Sequence, residues 1–289
     1  MTQILSVGDR QIDLSTPACM GILNATPDSF SDGALLNDDS SKNFKIDLDK
    51  ALTRAEAMVK EGALFIDIGG ESTRPGAAIV SLQEEIDRVI PIIEALHSRI
   101  DVCISVDTSK PEVMKQAIAA GARLINDVRA LSLDGAMDVV KNSNAALCVM
   151  HIQGKPETMQ STISYDDVVD EVIAFLREKV SVCKENGISP SRLLIDPGFG
   201  FGKTVEHNYR LLAELSRFSE LQTPLLVGVS RKSMIGAAID RPVDQRLAGS
   251  IAATAHALAH GAKIMRSHDV AATMDAIRVN SAISSARKS

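Results

Sequence analysis

The feature that most constrains this chain of 289 residues is a short apolar run that recurs eight times, each time followed by a stretch with helical periodicity. Runs of this length, rich in Ile, Val and Leu and bounded by turn-forming residues, are typical of strands buried on both faces. The predicted strands cover residues 20–23, 65–68, 103–106, 124–125, 146–150, 193–195, 225–229 and 264–265. The chain therefore alternates strands with helices.

The stretches between the runs place apolar residues at helical spacing. In residues 48–61, for example, Leu52, Ala55 and Val59 fall on one stripe. The predicted helices cover residues 48–61, 84–96, 111–120, 135–141, 168–185, 208–215, 245–260 and 270–279. Eight strand–helix units match an α/β fold of the (β/α)8 TIM-barrel class, with an open doubly wound sheet as the alternative. The count of eight favours the barrel, and no low-complexity linker interrupts the series, so we predict one domain over residues 1–289.

Three further segments complete the predicted architecture. Residues 4–14 read as two short strands around Gly8 and Asp9, which predicts an N-terminal β-hairpin able to plug the lower end of the barrel. The connections at residues 26–44 and 69–82 are unusually long. Because both follow strand ends, we expect them to be lids over the upper end.

A polar residue stands at the end of every predicted strand. These residues are Asn24, Asp67, Asp107, Asn126, His151, Asp196, Ser230 and Arg266. One of them alone would be explained as a helix N-cap. Eight of them at the carboxyl ends of barrel strands, where active sites are built, predict a polar pocket.

One group of these residues has the chemistry to bind a flat heterocycle. Asp107, Asn126 and Asp196, together with Lys232, offer carboxylates, an amide and an ammonium group. Such a set matches a ring with donors on one edge and acceptors on the next, as in the aminopyrimidinone part of pterins and guanine. The alternative is a structural network in which the two acids and the lysine neutralise one another.

A second group predicts an anion site. Arg266 and His268 lie two residues apart where the last strand meets the last helix, which is where barrels often hold phosphate. Asn24 lies across the seam on the first strand, and its amide oxygen suits Mg²⁺, a hard cation that accompanies diphosphate. The alternative is ordinary surface charge on a loop.

Composition excludes several classes of partner. Aromatic residues make up 3% of the chain, which has no Trp and a net charge of −6, so neither nucleic acid nor an anionic membrane is an expected partner. Cys19, Cys103, Cys148 and Cys183 are far apart and form no CxxC, so we expect buried thiols in a reducing compartment. No apolar run has membrane length, and a cytoplasmic location is predicted.

Two motif-like segments carry little weight. The segment GFGFGKT ends like a phosphate-binding loop, but Pro197 stands where the first Gly of that motif belongs. His256 and His260 have the spacing of two zinc ligands on a helix, but the Glu of HExxH is absent. We therefore expect neither a nucleotide loop nor a zinc site.

Eight segments of the chain, taken in order, resemble one family. They are MGILNATPDSFSDG, FIDIGGESTRPG, SVDTSK, INDV, MHIQG, DPGFGFGK, VGVSRKSMIG and RSHDV. Together they span almost the whole chain and are similar to bacterial dihydropteroate synthase. Ala34 departs from the family pattern, in which a second Gly is common at that place, and Ser267 fills a variable position.

The resemblance implies a transferase of folate biosynthesis. Such an enzyme condenses (7,8-dihydropterin-6-yl)methyl diphosphate with p-aminobenzoate, giving 7,8-dihydropteroate and diphosphate. By similarity the pterin would contact Asp107, Asn126, Met150, Asp196 and Lys232. The p-aminobenzoate side, which sulfonamide drugs occupy in the family, would use Thr73, Arg74, Pro75, Phe199, Ser230 and Lys232. The diphosphate would contact Asn24, Arg266 and His268, and Asn24 would hold the Mg²⁺ cofactor.

The expected mechanism is SN1-like, through a cation on the pterin methylene. The catalytic residues would be Asp107, Asp196, Lys232, Arg266 and His268. Asp107 and secondarily Asp196 would stabilise the cation, while Mg²⁺, Arg266 and His268 would stabilise the departing diphosphate. The alternatives are a pterin-dependent methyltransferase domain and a non-catalytic pterin-binding barrel. Family members are usually homodimers, and the Ala-rich helix at residues 247–260 is one possible interface, although its apolar stripe equally suits packing on the barrel.

Overall fold

Eight parallel strands close into a barrel in the computed structural model, which describes residues 4–25, 47–72, 80–154, 159 and 163–286. A two-stranded antiparallel hairpin precedes the barrel. The hairpin strands are β1 (Ile4–Val7) and β2 (Arg10–Asp13). The barrel strands are β3 (Ala18–Asn24), β4 (Phe65–Gly69), β5 (Cys103–Asp107), β6 (Leu124–Asp127), β7 (Ala146–Met150), β8 (Leu193–Asp196), β9 (Leu225–Val227) and β10 (Ala262–Ser267). The predicted TIM barrel and its N-terminal hairpin are confirmed.

Helices surround the barrel in the described residues. They are α1 (Leu48–Glu61), α2 (Leu82–Arg99), α3 (Pro111–Ala120), α4 (Ala136–Lys141), α5 (Val168–Glu185), α6 (Val205–Ala213), α7 (Ser233–Ile239), α8 (Leu247–Ala259) and α9 (Val270–Ala286). Short 3-10 turns lie at Pro190–Arg192, Leu215–Leu221 and Val243–Gln245. Within these ranges, no helix combines the length and the apolar character needed to cross a membrane.

The strands are apolar because both of their faces are buried. One face packs on the helices, where Ile66 and Ile68 of β4 join the outer core. The other face fills the barrel, where Phe65 of the same strand lies in a separate inner cluster. Successive residues of a strand therefore point alternately to the surrounding helices and to the barrel interior. The residues that point to the interior are apolar at the lower end of the barrel and polar at the upper end.

The hairpin closes the lower end of the barrel. Leu5, Val7 and Leu14 are fully buried in the inner cluster beside Phe65. The tip of the hairpin is held by a hydrogen bond from the Gly8 N–H to the carbonyl oxygen of Asn144, at 3.1 Å. The floor of the barrel is therefore apolar and filled.

Helix α7 was not predicted. It spans seven residues of the sequence SMIGAAI, which lacks the polar face that makes a surface helix recognisable. It begins directly after Lys232, so the backbone turn into α7 sets where that lysine stands. The neighbouring prediction of one helix over residues 245–260 also changes, because Val243–Gln245 is a 3-10 turn and α8 begins at Leu247.

Candidate active site

Strand register brings the predicted polar residues to one rim. Asp107 and Asn126, the ends of their runs, are directly paired between β5 and β6. Met150 and Asp196 are paired in the same way between β7 and β8. Asn24 is paired with Gly69. The upper end of the barrel is thus lined by the acids, amides and Met that the sequence suggested.

Asp67 forms the polar floor of this pocket, and sequence reasoning gave it no role beyond a polar strand end. Its side chain is fully buried inside the barrel. Its carboxylate accepts hydrogen bonds from Ser105 Oγ at 2.6 Å and from Asn126 Nδ2 at 3.0 Å. It also accepts one from Arg266 Nε at 2.6 Å. In the structure Asp67 is the middle residue of β4 and not the strand end that the sequence suggested, and its full burial is not visible in a sequence.

Arg266 bridges two carboxylates. Its Nη2 donates to Asp107 Oδ2 at 2.9 Å, in addition to the bond from Nε to Asp67. Burial opposes the guanidinium charge, but the two acids outweigh it and raise the pKa of Arg266. Arg266 therefore contacts an acid that is predicted to bind the ring, in addition to its predicted place in the anion site.

The pocket also affects the protonation of Asp107. Burial raises its pKa to about 7, although the positive charge of Arg266 acts in the opposite direction. The negative charges of Asp67, Glu85 and Asp127 add to the rise. Asp107 therefore changes charge near neutral pH.

Asn126 presents an acceptor to the pocket. Its Nδ2 is used by Asp67, while its Oδ1 is buried and has no hydrogen-bond partner among the described residues. A buried polar atom without a hydrogen-bond partner destabilises the folded protein. Asn126 points to the barrel interior at the height of the pocket, so a bound molecule could supply that partner. The amide oxygen is thus suited to a donor on a bound ring.

Asp196 and Lys232 lie on the opposite side of the rim. Asp196 is buried, and its Oδ1 accepts a hydrogen bond from the Gly198 N–H at 2.7 Å. Burial raises the pKa of Asp196, and it lowers the pKa of Lys232 to about 8. Each of the two charges stabilises the other and limits these shifts.

The loop after β8 places the two phenylalanines differently. The ring of Phe199 is fully buried in the outer core, and its carbonyl oxygen accepts a hydrogen bond from Lys232 Nζ. The ring of Phe201 is half-buried and lies under the same ammonium group, 4.8 Å from Nζ to the ring centroid. Phe199 therefore meets Lys232 through its backbone, and the aromatic surface beside the lysine belongs to Phe201, which the sequence analysis did not select.

A buried lysine holds this loop in shape. Lys203 Nζ contacts the carbonyl oxygens of Gly198 and Phe201 at 2.9 and 3.0 Å, and His151 Nδ1 at 2.9 Å. Burial lowers the pKa of Lys203. Burial, together with the positive charge of Lys203, lowers the pKa of His151 to about 2. The lysine of GFGFGKT is thus occupied with the protein's own backbone.

His268 and Ser230 form a pair on the other side of Arg266. Ser230 Oγ lies 3.1 Å from His268 Nδ1 and accepts a hydrogen bond from the His268 N–H at 3.2 Å. Arg54 donates to the His268 carbonyl at 2.9 Å, and Arg231 forms a two-point ion pair with Asp269. Ser230 is expected on the p-aminobenzoate side. In the structure it is paired with His268, which is predicted to bind the diphosphate.

The surroundings of Asn24 suit a hard cation. A Cβ built on Gly69 would lie 3.5 Å from Asn24 Oδ1 and 3.8 Å from Asp107 Cβ, so the glycine leaves room beside an amide oxygen. The described residues contain no group of three His, Cys, Asp or Glu able to hold a metal by themselves. Mg²⁺ commonly takes one or two protein oxygens and completes its shell with phosphate and water, which fits this donor set.

Some predicted residues lie outside the described residues. Thr73, Arg74 and Pro75 are among them, as are residues 26–46 and 73–79, which contain most of both predicted lids.

Comparison with known proteins identifies the family of this chain. Residues 20–268 match the family described as "Pterin binding enzyme". The dihydropteroate synthase of Haemophilus influenzae is 50% identical over 95% of this chain and 97% of its own length. The crystal structure of Yersinia pestis dihydropteroate synthase with a sulfonamide drug complex has a TM-score of 0.92 and 48% identity, covering 98% of this chain and 99% of that one.

A further solved structure contains a small molecule of the expected kind. It is Xanthomonas albilineans dihydropteroate synthase with 4-aminobenzoic acid, with a TM-score of 0.89 and 46% identity, covering 98% of this chain and 99% of that one. Identity of this size over almost the full length of both chains leaves no large segment unmatched. The chain belongs to the dihydropteroate synthase family of pterin-binding enzymes.

Proposed function

We propose that this chain is an alkyl-transferring enzyme that joins (7,8-dihydropterin-6-yl)methyl diphosphate to p-aminobenzoate, forming 7,8-dihydropteroate and diphosphate. The observation that carries the proposal is the convergence of Asp107, Asn126 and Asp196 on one rim, with Lys232 and Arg266 between them. Relatives at 50% identity are named for this reaction.

The ring would lie on the buried acids. Asp196 and the unpartnered Oδ1 of Asn126 accept hydrogen bonds from the ring's amino and N–H groups, while Lys232 donates to its carbonyl oxygen. Met150 is buried at the end of β7 and offers an apolar contact to the ring face. A flat, polar-edged ring would thereby give the buried Asn126 Oδ1 the hydrogen-bond partner that it lacks among the described residues.

The bond that breaks is the one between the pterin methylene carbon and the diphosphate oxygen. Its electron pair leaves with diphosphate, and a cation develops on the methylene and the ring. Ionised Asp107 stabilises this positive charge, while Arg266 and His268 interact with the leaving group. The p-aminobenzoate nitrogen then forms the new bond to the methylene carbon and releases a proton.

We include Mg²⁺ in this proposal. Asn24 would hold it, and when bound it would supply positive charge to the departing diphosphate. The p-aminobenzoate would bind beside Lys232, where Phe201 provides an aromatic surface and Phe199 a backbone carbonyl. Thr73, Arg74, Pro75 and Ser230 remain predictions for that side.

A single assay tests the function. Diphosphate release is measured with both organic substrates, with each alone, and with Mg²⁺ removed by a chelator. We expect release only when both substrates and Mg²⁺ are present. Pterin binding without diphosphate release would instead indicate a non-catalytic barrel, and methyl transfer to a corrinoid protein would indicate the methyltransferase alternative.

We also propose that the chain forms a homodimer through α7 and α8. A groove of about 370 Å³ lies between these helices and α6, with a mostly apolar lining that includes Leu212, Ile235 and Ile239. Ile239, which lines the groove, and Leu247, the first residue of α8, are exposed. Light scattering should give twice the chain mass, and Ile239→Glu should give a monomer; a wild-type monomer would contradict the proposal.

The expected compartment is the cytoplasm. All four cysteines are buried and unpaired, and burial raises the pKa of Cys19 to about 12, so their thiols stay protonated. Such thiols fit a reducing compartment.

A further inference from the structure

Asp67 has no atom available for a ligand. Its side chain has 0% exposure, and Oδ1 is taken by the Ser105 hydroxyl. Oδ2 is shared by Asn126 Nδ2 and Arg266 Nε. Every oxygen of this carboxylate therefore already has a protein donor, and a ring bound at the rim would lie above it.

Two of its three donors belong to residues that face the proposed ring. Because Nδ2 of Asn126 is bound by Asp67, the other face of that amide is the acceptor Oδ1. Because Nε of Arg266 is bound by Asp67, Nη2 is directed at Asp107. One buried carboxylate thus determines which atoms its neighbours present to the pocket.

We infer that Asp67 is a positioning residue of the pterin site, which fixes the amide orientation of Asn126 and the guanidinium of Arg266 without contacting the ring. The inference rests on the proposed function for the identity of the ring. Without Asp67, the Asn126 amide could turn its NH₂ group toward the pocket. That group would then face the N–H donors of the ring, and the ring would lose one hydrogen bond.

The simpler alternative is that Asp67 only stabilises the barrel. Asp127 provides a control for that role, because it is equally buried but accepts hydrogen bonds from Ser109 Oγ and from the N–H groups of Arg129 and Leu131. It follows Asn126 on β6 and therefore faces away from the barrel interior. Truncating Asp127 should lower the melting temperature without changing ring affinity.

The test uses Asp67→Asn, Asp67→Ala and Asp127→Ala, with calorimetry of pterin itself as the probe. In Asp67→Asn the new amide can keep its oxygen toward Asn126 and Arg266 while its NH₂ group donates to the Ser105 hydroxyl, so pterin affinity should stay within about threefold. Asp67→Ala should lose on the order of tenfold or more, the scale expected when a buried partner is removed. If Asp67→Ala does not fold, Asp67→Ser is the second truncation, because its side chain is also too short to reach both donors.

Steady-state kinetics separate positioning from general destabilisation. Truncation should raise the KM for the pterin diphosphate and leave the KM for p-aminobenzoate nearly unchanged. Wild-type pterin affinity in the truncated variant, equal damage in Asp67→Asn and Asp67→Ala, or equal loss for both substrates would each overturn the inference. Pterin binding is measured without turnover, so absence of synthase activity in the wild type would refute the proposed function and leave this test standing.

Discussion

Arg266 and Asp107 are 159 positions apart in the sequence and are joined by a hydrogen-bonded ion pair of 2.9 Å between Nη2 and Oδ2. The pair crosses the barrel seam and places the predicted anion-binding arginine directly against the acid predicted to stabilise the pterin cation. The ring side and the leaving-group side of the pocket are therefore electrostatically connected. A substitution at either residue should affect both sides.

Single substitutions should distinguish Arg266 from His268. We expect His268→Ala to weaken binding of the pterin diphosphate by about tenfold and to leave the affinity for free pterin nearly unchanged, because the His268 ring lies against Ser230 Oγ at 3.1 Å, whereas Arg266 bonds directly to Asp67 and Asp107. Arg266→Ala should weaken binding of both ligands, because Asp67 and Asp107 lose their counter-charge. Calorimetry with the two ligands measures this, and identical profiles for the two variants would contradict the separation.

Asp107→Asn should impair catalysis far more than ring binding. The amide keeps an acceptor oxygen but lacks the negative charge that would stabilise a developing cation, so kcat should fall by about 100-fold or more. Pterin affinity should change only a few-fold. Asp101→Asn is the control, since Asp101 lies just before the start of the same strand, exposed and paired with Arg10. Turnover close to wild type in Asp107→Asn would remove the cation-stabilising role.

The pH dependence of turnover should report the ionisation of Asp107. Its pKa is raised to about 7, so the carboxyl is protonated and inactive below that pH and ionised above it. Because this pKa is that of the ligand-free protein, we expect kcat/KM for the pterin diphosphate to rise with pH and level off above about 7. Arg266→Gln removes the charge that favours ionisation, so the midpoint should move to higher pH. A profile that is flat from about pH 5 to 9, or a midpoint unmoved in the variant, would contradict this assignment.

Gly198→Ala should be strongly destabilising. Gly198 has φ +70°, and a Cβ there would lie 1.8 Å from the His151 carbonyl oxygen. Gly187→Ala is the matched control, because Gly187 has φ +86° with nothing within 4 Å of the added carbon. The control should lose about 1 kcal/mol from backbone strain, and Gly198→Ala on the order of 3 kcal/mol more from the clash. Urea unfolding of both variants measures the difference, and equal losses would show that the loop moves freely away.

Much of this architecture can be predicted from the chain because its determinants are local. Apolar runs such as residues 103–106 indicate buried strands. The polar residue after such a run lies at the rim because parallel strands end together. Asp107 and Asp196 were therefore placed correctly at the rim. Their roles at a ring remain predictions that only ligand binding can test.

What sequence reasoning missed depends on side-chain direction. The sequence analysis selects Phe199 and gives Phe201 no role, but Gly198, Gly200 and Gly202 all have positive φ, which breaks the period of a strand and redirects both rings. Phe199 consequently enters the core while Phe201 stays beside Lys232. The role of Asp67 is missed for a related reason, because the sequence does not show whether an acid within a strand meets a ligand or three protein donors.

The filled floor beneath the pocket also limits how molecules reach it. Since the hairpin residues Leu5, Val7 and Leu14 seal the opposite mouth, molecules must arrive and depart through the rim. A ring that rests on Asp196 and Asn126 lies deepest, and whatever reacts with it must bind above it. If the pterin substrate binds there, as proposed, it would have to enter before p-aminobenzoate.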